Sequence, residues 1–410
     1  MAHKKSFLIL VLKMSSLVVI LWLIGHQVGK NYDLINRTQS FLDRDEQGFT
    51  SVLIQKSQRE IQTNPQEALL LLKKAILLNP LDSDAYALMG LAYEAMGDIG
   101  RAKTFIRLAH KMTPREANLQ LEIGQFWFRQ NDLDRALFHW AIAFEMKPEF
   151  REKGFNDLEI FMTKPIYFAA LCRLIETHDF LWWKDFFVGV ANKFPNLEQI
   201  KTLYQARLKS GGEVHAMEHQ ALFNRLMRER QWSDAYFTWL NQLPKPSLNR
   251  LGNLYDGSFA EPPSDEGFGW RKSQDQAYQM YFRPPLGQQE RGEASIYFNG
   301  SRPHQPNLLA QYLLLEPGQF TLKGEANVEQ LKAGEGLQWQ VRCLNGPLIH
   351  SSPLFKGSKA WHTFETQLNV PNQADCRVQE LLLKIVLDVN QPFTFGGRAV
   401  FRELSIEKSP

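Results

Sequence analysis

Apolar and polar positions follow three different spacings along this chain. Residues 7–25, FLILVLKMSSLVVILWLIG, are apolar almost throughout. Residues 49–243 space their apolar side chains as helices do. From about residue 251 the period shortens to two, in short runs separated by clusters of Gly, Pro and Asn. The predicted order is an apolar amino-terminal helix, then paired helices, then a β domain.

Within 49–150 the helical pattern returns every 34 residues. Ala68, Ala102 and Ala136 share one position of the period, Ala75, Ala109 and Ala143 a second, and Pro80, Pro114 and Pro148 a third. Gly90 aligns with Gly124, Tyr93 with Trp127, and Asp98 with Asp132. Each period is long enough for two antiparallel helices and a turn. Gly90 against Ala102, and Gly124 against Ala136, let the axes approach to ~8–10 Å. Ile106, Ile123, Trp127 and Trp140 fill the remaining inward space. Met96-Gly97-Asp98 and Gln130-Asn131-Asp132 read as turns, because Gly and Asn tolerate left-handed backbone. The prolines end each second helix. In the first copy Gln55 and Lys56 depart from the pattern, as capping repeats do. This stretch resembles the tetratricopeptide repeat family. The resemblance implies an α-solenoid whose concave face holds a protein partner, with no cofactor.

The strict register stops after Phe150, but helical spacing continues through 164–178, 180–193, 197–209, 213–230 and 233–243. Trp183, Phe187 and Val190 take inward positions, and Ala235 and Trp239 repeat the spacing of Ala136 and Trp140. The solenoid is therefore expected over 49–243, with clear repeats over 49–150 and degenerate ones over 151–243. Pro244-Lys245-Pro246-Ser247 opens a linker at 244–250.

The last segment, 251–410, carries strand-like runs at 295–299, 310–315, 319–324, 337–343, 361–366, 380–389 and 398–406. That spacing predicts an antiparallel two-sheet β-sandwich. Asp256-Gly257-Ser258-Phe259-Ala260, Gly269-Trp270, Pro317-Gly318, Trp361, Val370-Pro371 and the closing Val400–Ile406 run occur in an order that resembles the galactose-binding-like jelly rolls. Many carbohydrate-binding modules belong to that group, so the resemblance implies glycan contact. Ala260 and Arg402-Glu403 stand where that family often has calcium-binding carboxylates, which argues against calcium. Trp270, Trp339 and Trp361 are expected in the core. Tyr278, Tyr281 and Tyr297 are the candidate glycan contacts. Cys343 and Cys376 form a candidate disulfide for an oxidising compartment, and Cys172 stands alone on an apolar helix.

The apolar run 7–25 is as long as a bilayer is thick and lacks a small-residue cleavage pattern. It is expected to be an uncleaved signal anchor within residues 1–30, followed by a stalk or capping segment at 31–48. Lys4, Lys5 and Lys13 lie on the amino-terminal side and Lys30 and Arg37 on the other, a small difference in favour of a cytoplasmic amino terminus. The bulk of the chain is then expected outside the cytoplasm, facing the periplasm or exterior from an inner membrane. The formal net charge is +3, with 47 basic and 44 acidic residues, which gives no argument for nucleic acid. His215 and His219 sit one helical turn apart without a third ligand, so no metal is expected. Asp256, Glu261, Asp265 and Glu266 form an acidic loop, and Arg101, Lys103, Arg107 and Lys111 a basic helix face. No nucleophile–base set is present. The sequence reads as a non-enzymatic membrane-anchored scaffold, and its combination of repeats and sandwich resembles proteins that accompany bacterial exopolysaccharide assembly, which implies a role in exopolysaccharide or cell-envelope assembly. A carbohydrate-active enzyme with the repeats as a targeting arm is the alternative.

Overall fold

The computed structural model describes residues 46–285, 291–387 and 394–409. The expected anchor at 7–25 and residues 31–45 of the stalk lie outside the described residues. Among the described residues no helix is long and apolar enough to cross a membrane. The chain divides into two compact units after Leu174.

The first unit is a run of helix pairs. α1 (Glu46–Glu60) pairs with α2 (Pro65–Leu78), α3 (Ser83–Ala95) with α4 (Ile99–Met112), and α5 (Ala117–Arg129) with α6 (Leu133–Met146). α7 (Arg151–Met162) follows a short 3-10 turn, and α8 (Pro165–Thr177) carries the boundary between the units. The six register alanines are fully buried. A Cβ added at Gly90 would lie 2.6 Å from Ile106 Cγ1, and one at Gly124 would enter the Trp140 ring. Glycine at these positions is therefore what lets α3 meet α4 and α5 meet α6.

The 34-residue period extends to the caps. Asn64, Asp98 and Asp132 are the N-caps of α2, α4 and α6, each accepting a backbone N–H three residues on. The N–H groups of Asn79, Thr113 and Lys147 donate to Ala75, Ala109 and Ala143 at 2.8, 3.1 and 3.0 Å. Gly97 and Asn131 have φ of +79° and +58°, which closes each turn in the left-handed region. Between the second and third pairs His139 is buried, and its Nδ1–H donates to Gln120 Oε1 at 2.7 Å. Gln120 Nε2 donates in turn to His110 Nδ1 at 3.2 Å.

The second unit joins four helices to the sandwich. α9 (Trp183–Lys193), α10 (Leu197–Lys209), α11 (Ala216–Arg228) and α12 (Trp232–Leu240) precede a 3-10 helix at Lys245–Arg250. Trp183, Phe187, Val190, Ala235 and Trp239 are buried. Arg230, at φ +59°, makes the turn that Gly97 and Asn131 make in the first unit. The units part at 174/175, whereas the sequence pattern changes at 244–250. The physical reason is an aromatic seam: Trp239 packs at 5.1 Å from Tyr255 and 5.7 Å from Phe268, and Phe223 and Tyr236 close on Phe268 as well. A side chain at Gly267 would collide with the Trp239 ring.

Among the described residues the sandwich has ten strands: β1 (Arg271–Lys272), β2 (Tyr278–Arg283), β3 (Glu293–Phe298), β4 (Asn307–Leu313), β5 (Gly318–Ala333), β6 (Gly336–Cys343), β7 (Leu348–Ser351), β8 (Gly357–Val370), β9 (Gln379–Val386) and β10 (Phe395–Lys408). They form two five-stranded antiparallel sheets, β1-β4-β9-β6-β7 and β2-β3-β10-β5-β8. Phe259, Trp270, Trp339 and Phe401 are among the large side chains buried between them. Cys343 and Cys376 are joined by a disulfide, with their Cα atoms 4.7 Å apart. Seven of the strands coincide with period-two runs in the sequence. β1 and β7 are too short to show a period, and β2 has aromatic residues on both faces.

Candidate functional site

Two surfaces have binding geometry, one in each unit. In the first, α5, α6 and α7 enclose a groove of ≈ 500 Å³. Phe128, Trp140, Phe144 and Phe161 form its floor, and Gln125, Glu149, Lys153 and Asp157 line its rim. The rings of Phe128 and Trp140 lie 5.6 Å apart, and those of Phe128 and Phe161 5.9 Å. Gly154 lets α7 approach α6 closely, because a Cβ there would enter the Phe144 ring. An apolar floor with a charged rim suits a peptide segment that offers large apolar side chains.

The second surface is the outer face of the sheet β2-β3-β10-β5-β8. Period two places Tyr281 on β2, Tyr297 on β3, Arg398 and Arg402 on β10, Glu325 and Glu329 on β5 and Trp361 on β8 on this side. The register brings Arg398 beside both Tyr297 and Glu329, and Arg402 beside Glu325. Tyr281 is 55 % exposed, Tyr297 39 % and Trp361 37 %. Tyr281 and Tyr297 meet edge to face at 5.6 Å. Arg398 lies 4.9 Å over the Tyr297 ring and Arg402 3.8 Å over Trp361.

Carboxylates hold the arginines in place. Arg402 meets Glu325 at 2.7 Å and Glu293 at 3.9 Å, and Arg291 meets Glu325 at 2.8 Å. The hydrogen bond from Arg402 holds the Glu325 carboxyl below its ordinary range despite some opposing desolvation. The face therefore presents ionised donors and acceptors between exposed rings. Rings that stack on an apolar ring face, flanked by fixed hydrogen-bonding groups, are suited to a polyhydroxylated ligand. The other sheet differs: on β4, Tyr312 meets Phe268 at 6.0 Å, and Phe223 of α11 and Tyr236 and Trp239 of α12 pack against Phe268.

The structure separates the three tyrosines singled out from sequence. Tyr281 and Tyr297 lie on the open face. Tyr278 does not: it is only 4 % exposed, and its hydroxyl meets Ser273 Oγ at 2.5 Å. β2 pairs Tyr278 with Phe298, an inward residue, so the same period that exposes Tyr281 buries Tyr278. Trp361 departs in the other direction. Trp270 and Trp339 are core residues, whereas Trp361 faces outward on an edge strand. Sequence gave no sign of Arg398 and Arg402 as partners of these rings, since register across β10 sets that pairing.

Most of the remaining candidates have structural partners. Asp256 is buried, and its carboxylate accepts the N–H groups of Ala260 and Glu261, each at 3.0 Å. Burial raises its pKa against those hydrogen bonds. Glu261 pairs with Arg250, and Asp265 accepts the Lys272 N–H at 2.7 Å. Glu266 is exposed. His215 caps α11 in a reciprocal box with Glu218, and Tyr204 OH bonds to His219 Nδ1. No group of three potential metal ligands occurs among the described residues.

Fold and surface together define a helical-repeat chain that carries an antiparallel sandwich. No protein-family profile and no curated protein matches it. Among solved structures, a CBM4 carbohydrate-binding module is similar over 38 % of this chain and 99 % of its own, at 12 % identity and a TM-score of 0.29. PilF of Pseudomonas aeruginosa is similar over 48 % of this chain and 91 % of its own, at 20 % identity and a TM-score of 0.27. The module TmCBM61, solved with β-1,4-galactotriose, covers 39 % of this chain and 98 % of its own, at 12 % identity and a TM-score of 0.25.

Proposed function

We propose that the chain is a non-enzymatic scaffold, anchored by residues 7–25 and facing away from the cytoplasm. Its repeats hold a protein partner in the α5–α7 groove, and its sandwich holds glycan on the outer face of β2-β3-β10-β5-β8. A role in bacterial exopolysaccharide or cell-envelope assembly fits a membrane-anchored chain that holds protein and polysaccharide at once. The observation that carries the glycan half is the set of exposed rings, Tyr281, Tyr297 and Trp361, interleaved with carboxylate-held Arg398 and Arg402.

The test is affinity electrophoresis of the detergent-solubilised full chain through gels containing soluble bacterial and plant polysaccharides. At least one glycan should retard the wild type. Y297A/W361A should lose that retardation, since truncating a central aromatic contact costs about 2 kcal/mol or more, roughly thirtyfold in affinity. Equal retardation of wild type and variant would remove the sheet face from the account. Turnover of any retarding glycan by the wild type, lost in E261Q, would replace the scaffold with the enzyme reading.

A further inference from the structure

The first helix pair has an outer face that its own architecture does not explain. On α2, Leu77 is 81 % exposed, Leu81 just beyond the helix is 82 % exposed, and Leu70 one turn pair earlier is 53 % exposed. Their spacing of seven puts Leu70 and Leu77 on one side of the helix, and Leu81 follows in the turn that leaves it. Lys73 and Lys74 lie between them and are exposed. The 34-residue period supplies an internal control. At the positions of Leu70, Leu77 and Leu81 the second pair carries Thr104, Lys111 and Arg115, and the third carries Phe138, Glu145 and Glu149. Repeat packing therefore does not require leucine at these places.

The neighbouring pair completes the pattern. Lys111 and Arg115 occupy the repeat positions of Leu77 and Leu81, so they face the same side of the stack, and Arg107 occupies the position of Lys73. Lys73, Lys74, Arg107, Lys111 and Arg115 are exposed and make no ion pair among the described residues. Exposed leucines bordered by unpaired cations are the composition of a helix face that lies in a lipid headgroup layer. The sequence also brings this face near a bilayer. Only residues 26–45 separate the apolar run 7–25 from α1. Twenty residues reach at most ~70 Å even fully extended, which keeps the first pair at high effective concentration near the surface.

We propose that the outer face of α2, continued by the basic side of α4, rests on an anionic lipid surface. The leucines enter the acyl boundary and the cations neutralise headgroups. This orients the first helix pair against the bilayer instead of leaving it free at the end of a tether. The inference rests on the anchor reading of 7–25, so its test must separate the two.

The full chain, as C172S/L77C with its disulfide intact, would carry a nitroxide at position 77. It would be placed in nanodiscs of phosphatidylcholine alone or with 30 mol % phosphatidylglycerol. Collisional accessibility to oxygen and to a polar nickel chelate reports depth. Residue 77 should become several-fold more accessible to oxygen than to nickel in the anionic discs. A label on E149C, an exposed position of the third pair that matches Leu81 in the repeat, should stay aqueous. A label at 77 that stays aqueous while carbonate-washed discs retain the chain overturns the face and leaves the anchor standing. Loss of the chain from washed discs refutes the anchor. In that case, flotation with the anionic vesicles that L81E abolishes still supports the face, and no flotation overturns it.

Discussion

His139 offers the sharpest test of how the second and third helix pairs are joined. It is 6 % exposed, its ring lies 4.8 Å from His110, and its Nδ1–H is committed to Gln120. Burial, with His110 and Arg135 adding like charge, lowers its pKa from 6.5 to about 3. The folded chain thus keeps His139 neutral where the unfolded chain protonates it. Its contribution is full above pH 6.5 and is lost as pH falls toward the folded value. At pH 5 the loss is about 2 kcal/mol relative to pH 7.5, and it grows by about 1.4 kcal/mol for each further pH unit. The assay is hydrogen exchange of amides in α4–α6 within the full chain, corrected for intrinsic rates. Two kcal/mol is roughly a thirtyfold loss of protection where exchange follows local opening. His110, lowered by burial against its bond to Gln120, adds in the same direction. H139Q should keep a partner for Gln120 and flatten most of the pH dependence. Identical pH profiles for wild type and H139Q would refute the reasoning.

Other outcomes follow from the same geometry. G124A should lower the melting temperature of the first unit, since overpacking costs about 1–3 kcal/mol. G189A should raise stability by about 0.5–1 kcal/mol, because a Cβ on that α9 glycine meets nothing within 4 Å. Reducing Cys343–Cys376, which are 33 residues apart, should destabilise the sandwich by about 3–4 kcal/mol in the chain-entropy view, read by urea unfolding. W239A should cost about 3–5 kcal/mol and loosen exchange at 255–270 as well as in α12. Loosening confined to α12 would mean that the seam does not join helices to sandwich.

The repeats were legible because their physics is local in sequence. Close helix crossings need small residues, and a fixed period shows them: Gly90, Gly124 and the alanines mark real contacts, and the prolines follow each second helix. The period also places Asn64, Asp98 and Asp132 at successive helix starts. α7 was less visible, since Phe150 replaces the capping acid found at Asp82 and Glu116. The β domain was legible as a class from its period-two runs, but its binding face was only partly so. Alternation says that Tyr278 and Tyr281 point opposite ways unless a residue is skipped, since they are an odd number apart. It does not say which of them points inward.

What the sequence determined by itself is therefore the kind of element over most of the described chain, because helix and strand periods and small-residue spacing are local constraints. Tertiary structure alone decided which side of each strand is buried, which arginine lies over which ring, and that α11 and α12 belong with the sandwich. Those outcomes depend on register between distant strands and on aromatic packing around Phe268, which no local period encodes.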